Sequence, residues 1–172
     1  MSRRPIGHPR LPRRGFLAVA AGAALAGCGF ELRKAPTFAF KSIVVTGSSP
    51  FSNYLRRQLR AAGTVDVLPA DQADKAEAVL ELLGESRNNI VLSTTPDGQV
   101  RELQLVLTLR FRVRGQGGKE LLGPTEIQQS RDITYNETAA LAKEGEAELL
   151  YRDMQNDIAQ QVLRRLAAIK AF

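Results

Sequence analysis

The chain has no tryptophan, one cysteine, one histidine and two methionines among 172 residues. These shortages exclude more than they first suggest. Ser and Cys nucleophiles usually need a histidine base, and zinc sites draw on His and Cys. The one histidine, His8, and the one cysteine, Cys28, both lie in the first 28 residues. No GxxxxGK[ST] phosphate loop, GxSxG elbow or EF-hand loop is present. Carboxylate pairs remain possible, as in glycosidases. The candidates Glu81/Glu85 and Glu144/Glu146/Glu148 read as solvent-facing polar positions. The expectation is a binding or scaffolding protein, not an enzyme, with no metal.

Acidic residues are also missing from one region. Residues 1–27 contain Arg3, Arg4, Arg10, Arg13 and Arg14 and no Asp or Glu. Of 24 lysines and arginines these are five, which leaves 19 cations against 18 carboxylates in the remainder. The high isoelectric point is therefore a property of the leader, and no nucleic-acid partner is expected. Arg13-Arg14 is followed by the small apolar run Phe16–Ala26, too short to span a bilayer, which takes about 20 apolar residues. Basic region, apolar region and small-residue cleavage site make a secretory signal over 1–27. Leu25-Ala26-Gly27-Cys28 matches a lipobox, in which Cys28 becomes the new N-terminus carrying diacylglycerol and an N-acyl chain (palmitate among the usual acids). Glycines on either side of Cys28 disfavour a buried helical cysteine. Arg13-Arg14-Gly15-Phe16-Leu17 also resembles a twin-arginine signal, the other reading being ordinary leader charge. No non-covalent cofactor is expected.

Residues 28–36 then read as a lipidated tether, and 37–172 as one domain. Thr37–Thr46 is rich in β-branched and aromatic residues and predicts a strand, ended by Gly47-Ser48-Ser49-Pro50. Ser48 or Ser49 as cap and Pro50 in the first turn predict a helix whose stripe is Phe51, Leu55, Leu59 and Ala62, stopped by Gly63. Arg56, Arg57 and Arg60 lie off that stripe, on a solvated face. Val65–Leu68 reads as a short strand, Pro69–Lys75 as a polar connection, and Ala76–Gly84 as a second principal strand that resumes at Asn89–Ser93. Pro96-Asp97-Gly98 signals a hairpin.

The clearest alternation follows. Leu103, Leu105, Leu107, Leu109, Phe111 and Val113 share one face; Glu102, Gln104, Val106, Thr108, Arg110, Arg112 and Arg114 share the other. Thr125–Tyr135 predicts a further strand. From Ala139 the apolar spacing becomes helical: Leu150, Met154, Ile158, Val162 and Leu166, widened by Leu149, Leu163 and Ile169. Glu144, Glu146 and Glu148 at its start and Arg164, Arg165 and Lys170 at its end suit the helix dipole. The expected fold is α+β: a two-layer sandwich with two amphipathic helices on one face of a mostly antiparallel, mixed sheet of about four strands.

Several of these stretches together resemble the LptE family of lipopolysaccharide-assembly lipoproteins. They are Cys28-Gly29-Phe30-x-Leu32-Arg33, Gln58-Leu59-Arg60-x-x-Gly63, Asp97-Gly98-Gln99 before the long strand, Ala140-Leu141-Ala142-Lys143-Glu144, and Tyr151-Arg152-Asp153-Met154. The resemblance implies a lipid-anchored protein on the periplasmic side of the outer membrane. It also implies a place as plug and assembly aid in the β-barrel LptD, a part in lipopolysaccharide insertion, and no catalysis. Gly29, where Asp commonly signals inner-membrane retention, agrees with that location. The family's basic positions for lipopolysaccharide carry over in part: the ALAK lysine is Lys143, whereas the hairpin position falls on uncharged Pro96, with Arg101 or Arg87 as substitutes. Arg110, Arg112 and Arg114 form a second candidate anion site, or serve as a solvated or edge-protecting face. The alternative function is that of a generic periplasmic lipoprotein adaptor.

Overall fold

The structure is a computed structural model and describes residues 35–170. The leader, His8 and Cys28 lie outside the described residues, and with them the cleavage and lipidation expectations. The described elements run β1 (Ser42–Val45), α1 (Pro50–Ala62), β2 (Asp66–Leu68), β3 (Ala78–Thr94), β4 (Val100–Gly115), β5 (Glu120–Thr134) and α2 (Ala140–Ala168), with short 3-10 turns between some of them. The sheet has five strands in the order β2-β1-β3-β4-β5. The strand beyond the expected four is the three-residue β2, which falls within the short strand read at Val65–Leu68. It pairs in parallel with β1, as β1 does with β3, while β3, β4 and β5 are antiparallel.

The first half is a βαβ unit. Ser49 caps α1 by accepting the Ser52 N–H at 3.1 Å. Gly63 ends the helix in the left-handed conformation at φ +68°, its N–H on the Arg60 carbonyl. Ser52 is fully buried and keeps its hydroxyl bonded, with the Ser49 carbonyl at 2.7 Å and the Gly47 carbonyl at 3.0 Å as acceptors. Arg56 is not part of a solvated face. Its guanidinium donates to the Val45 carbonyl at 2.8 Å and to that of Gly47, tying the helix back to the end of β1.

The second half is a long three-stranded blade. Its β3–β4 hairpin closes at Thr95–Gln99, where the Thr95 N–H donates to the Gln99 carbonyl at 2.7 Å and Gly98 takes φ +83°. This is the hairpin end. The opposite end, where β1 begins and β4 turns into β5 through Gln116–Lys119, is the root. β1 is shorter than expected because Thr37–Lys41 is a lead-in, and β5 starts five residues before the expected Thr125.

Leu105, Leu107, Leu109, Phe111 and Val113 of β4 are buried under the helices. They join Phe51, Leu55 and Leu59 of α1 and Met154, Ile158, Val162 and Leu166 of α2 in one core. Each fully buried side chain of this size contributes about 1.5–3 kcal/mol. Leu149, expected in the α2 stripe, is 60% exposed because it lies on the far side of the helix from the sheet-facing Leu150–Met154 row.

β3 is one continuous strand with an irregularity between Leu82 and Gly84. Leu82 pairs with Phe111, yet Gly84 pairs with Arg110, so Leu83 is an extra residue. Because side chains alternate with period 2, one added residue moves everything after it to the other face. Glu81 shares the open face with Arg112, whereas Glu85 pairs with Leu109 and Arg87 with Leu107, on the helix face.

Candidate cationic sites

The bulge decides which charges meet. On the open face, Arg112 Nε donates to Glu81, and Arg114 Nη1 lies 3.5 Å from the other oxygen of the same carboxylate. Two rungs of the arginine ladder are thus compensated by one acid. Arg110 opposes Gly84 on one side and Glu126 on the other, is exposed, and its guanidinium has no hydrogen-bond or ion-pair partner among the described residues. It is the ladder's available fork for an anion. Around it the open face is polar: Ser86, Thr108 and Gln128 in adjoining registers, with Glu126.

The other predicted cations lie at the hairpin end. Lys143, in the first turn of α2, donates to Thr134 Oγ1 at 3.1 Å and to Glu146 at 2.8 Å. A cation near a helix N-terminus runs against the dipole, and the Glu146 carboxylate one turn on offsets that cost. Arg101 is the second residue of β4, with its carbonyl accepting the N–H of Tyr135, the residue that follows Thr134. Its side chain is exposed and without a partner among the described residues. Arg101 and Lys143 therefore share one end, and nine residues of strand, about 30 Å, separate Arg101 from Arg110. The structure makes two cationic places of the five candidates.

Arg87 belongs to neither. Its guanidinium stands 4.8 Å from the centre of the Tyr151 ring and pairs with Glu148 at 3.0 Å. Tyr151 is buried, and its hydroxyl faces two acceptors for the one phenolic proton, the Asn89 amide oxygen at 2.7 Å and the Asn88 carbonyl at 3.0 Å. Burial pushes the phenol above its ordinary pKa, opposed by the Arg87 cation. This clasp fixes α2 to the distal half of β3. Sequence spacing did not indicate it, because the bulge that brings Arg87 under the helix has no composition cue except Gly84. Pro96 occupies an exposed position in the hairpin turn.

The carboxylates named as catalytic candidates do not form a pair on one strand face. Glu81 and Glu85, four residues apart, are placed on opposite faces by the bulge. Glu144, Glu146 and Glu148 are exposed on α2, where Glu146 pairs with Lys143 and Glu148 with Arg87. Among the described residues no group of three His, Cys, Asp or Glu side chains is placed to hold a metal, and no helix is long and apolar enough to cross a membrane.

A family model described as LptE, lipopolysaccharide-assembly, matches residues 36–166. The LPS-assembly lipoprotein LptE of Pectobacterium atrosepticum is 33% identical over 150 residues, covering 84% of this chain and 79% of the relative. The Yersinia enterocolitica protein of the same name is 32% identical over 85% of this chain and 71% of its own length. Among solved structures, an uncharacterised lipoprotein B from Nitrosomonas europaea superposes with a TM-score of 0.69 at 30% identity, covering 81% of this chain and 91% of that one. The rare lipoprotein B of Shewanella oneidensis gives 0.63, also at 30% identity, over 74% and 95%.

Proposed function

The chain belongs to the LptE family of lipopolysaccharide-assembly lipoproteins, and from that premise we propose that it works as the lipid-anchored partner of the outer-membrane barrel LptD. In this reading it plugs the barrel lumen, supports barrel assembly and contacts lipopolysaccharide during insertion, with no bond made or broken. Cys28 carries the diacylglycerol and N-acyl chain and holds the protein on the periplasmic side of the outer membrane.

The family match across 36–166 carries the proposal. The geometry supports it in a specific way. A blade of 15- to 17-residue strands, with helices on one face and a mostly polar surface on the other, offers a large preformed surface to a surrounding wall. Lipid A phosphates suit the Arg110 fork, and Lys143 with Arg101 offers a second cationic place at the hairpin end. Arg112 and Arg114 are already paired with Glu81.

The test is lipopolysaccharide binding by Lys143→Asp and by Arg110→Ala. A loss of roughly tenfold in either, with the circular dichroism spectrum unchanged, is the expected result, since a charge-assisted hydrogen bond contributes about 1.5–3 kcal/mol. Unchanged affinity in both variants sinks the site assignment and leaves the barrel partnership to be judged separately.

A further inference from the structure

The outer side of β3 changes character along its length. β1 pairs with it only from Ala78 to Leu80, and the last bond there runs from the Thr46 N–H to the Leu80 carbonyl at 2.9 Å. Gly47, at φ +97°, then turns the chain away into α1. From Leu82 to Thr94 β3 pairs with β4 on one side, and among the described residues no strand pairs with the other. Every residue from Leu83 to Leu92 is exposed, with Ile90, Val91 and Leu92 at 48%, 50% and 47%.

Free strand edges are usually blunted, and β5, the other long edge, shows how. Pro124 lies in it at an irregularity, where Leu122 pairs with Val113 but Thr125 with Phe111. Glu126, Arg131 and Asp132 charge it, and Arg165 of α2 reaches over it to donate to the Glu126 carbonyl at 3.4 Å. Distal β3 has little of this. Its charges are Glu85 and Arg87, and Arg87 is committed to Tyr151 and Glu148. Asn88 to Thr95 holds neither a charge nor a proline. On neighbouring elements, Glu102 accepts the Ser93 hydroxyl at 2.7 Å, Arg56 is tied to the Val45 and Gly47 carbonyls, and Asp97 and Arg101 stand at the hairpin end. A second extra residue, Leu92, falls between Val91 opposite Leu103 and Ser93 opposite Glu102. The two bulges bound a regular run from Gly84 to Val91, long enough for an ordinary added strand of about five or six residues. The Tyr151 hydroxyl, bonded to Asn88 and Asn89, fixes this run from the helix side, so the edge is preformed.

What fits such an edge is another extended backbone, hydrogen-bonded along it, with alternate side chains giving specificity. The wall of a closed barrel has no strand edge to offer, so the added strand must come from elsewhere in the partner. We propose that Ser86–Leu92 is a strand-addition site for an extended, uncharged segment of the barrel partner that lies outside its wall, a loop folded into the lumen. Its apolar side chains meet Ile90 on the open face and Val91 on the helix face. The added strand takes the lane that β1 leaves at Gly47. This inference rests on the barrel partnership and names the element that joins the two proteins.

The experiment compares the lipidated protein alone with the same protein in its co-purified barrel complex. Hydrogen exchange at the outward amides of Ser86–Leu92 should slow at least about tenfold in the complex, with Leu105–Phe111 protected in both. A photoreactive diazirine side chain placed in turn at Ser86, Asn88 and Ile90 should cross-link to one partner segment outside the wall. Each step of two residues here should move the contact by two residues there, as strand pairing requires. Charge on an edge opposes strand addition, so Ile90→Lys/Leu92→Lys should bring exchange back to within about threefold of the free protein, with the circular dichroism spectrum unchanged. Unchanged exchange in a complex that contains the barrel, cross-links scattered over wall residues, or cross-links to a second copy of this chain overturn the strand site and leave the partnership standing. Recovery of no barrel refutes the partnership, and this occupant with it.

Discussion

Arg87 is held between the Tyr151 ring and Glu148, while Arg110 is exposed with no side-chain partner among the described residues. The two arginines sit on adjacent strands of one sheet and differ in role because their faces differ. Removing the first should cost fold, and removing the second should cost binding. The ion pair with Glu148 is more than a third exposed on both sides and contributes at most a few tenths of a kcal/mol; the ring contact adds about 0.5–1 kcal/mol. A double-mutant cycle of Arg87→Ala and Tyr151→Leu should show coupling of that order in urea unfolding, with Arg110→Ala near neutral. Tyr151→Phe should cost about 0.5–1.5 kcal/mol through its lost hydrogen bond. Because burial raises the Tyr151 phenol, the folded state keeps its proton at a pH where the unfolded chain has lost it. That stabilisation is complete below pH ~10, the unfolded value, and is lost as pH rises through the folded one. Urea midpoints should therefore fall more steeply above pH ~10 in the natural chain than in Tyr151→Phe.

Among elements, α1, β4 and α2 were the most legible in the sequence. Ser49, Pro50 and Gly63 mark the limits of α1, and six alternating apolar residues from Leu103 to Val113 make β4 unmistakable. Ser49→Ala should lower stability by about 1 kcal/mol, measured by thermal unfolding. β3 was half legible: its two apolar stretches stood out, but the polar residues between them masked a single strand. An extra residue at Leu83 is invisible to periodicity, since a strand broken and a strand bulged give the same interruption. The same limit hid the Arg87–Tyr151 clasp and the placement of Glu81 and Glu85 on opposite faces. Deleting Leu83 should return the distal strand to the regular pleat, move Arg87 and Asn89 to the open face and undo the clasp. Hydrogen exchange should then show faster exchange at Asn88–Leu92 and in the first half of α2, with Leu105–Phe111 protected.

For the whole molecule, membership in the LptE family and the two-layer α+β architecture agree, and both were foreshadowed by the order of short motifs along the chain. The division of the five candidate cations into a hairpin-end pair and an open-face ladder follows the two sites that the sequence distinguished; what the sequence did not show is that Thr134 and Tyr135 bring Lys143 and Arg101 to one end. The most direct measurement is affinity purification of the lipidated protein from detergent-solubilised outer membranes of its own source, with mass spectrometry of what comes with it. The account predicts one large β-barrel of the LptD type in equal amount. Recovery of the lipoprotein alone, or with a different envelope complex, would contradict it.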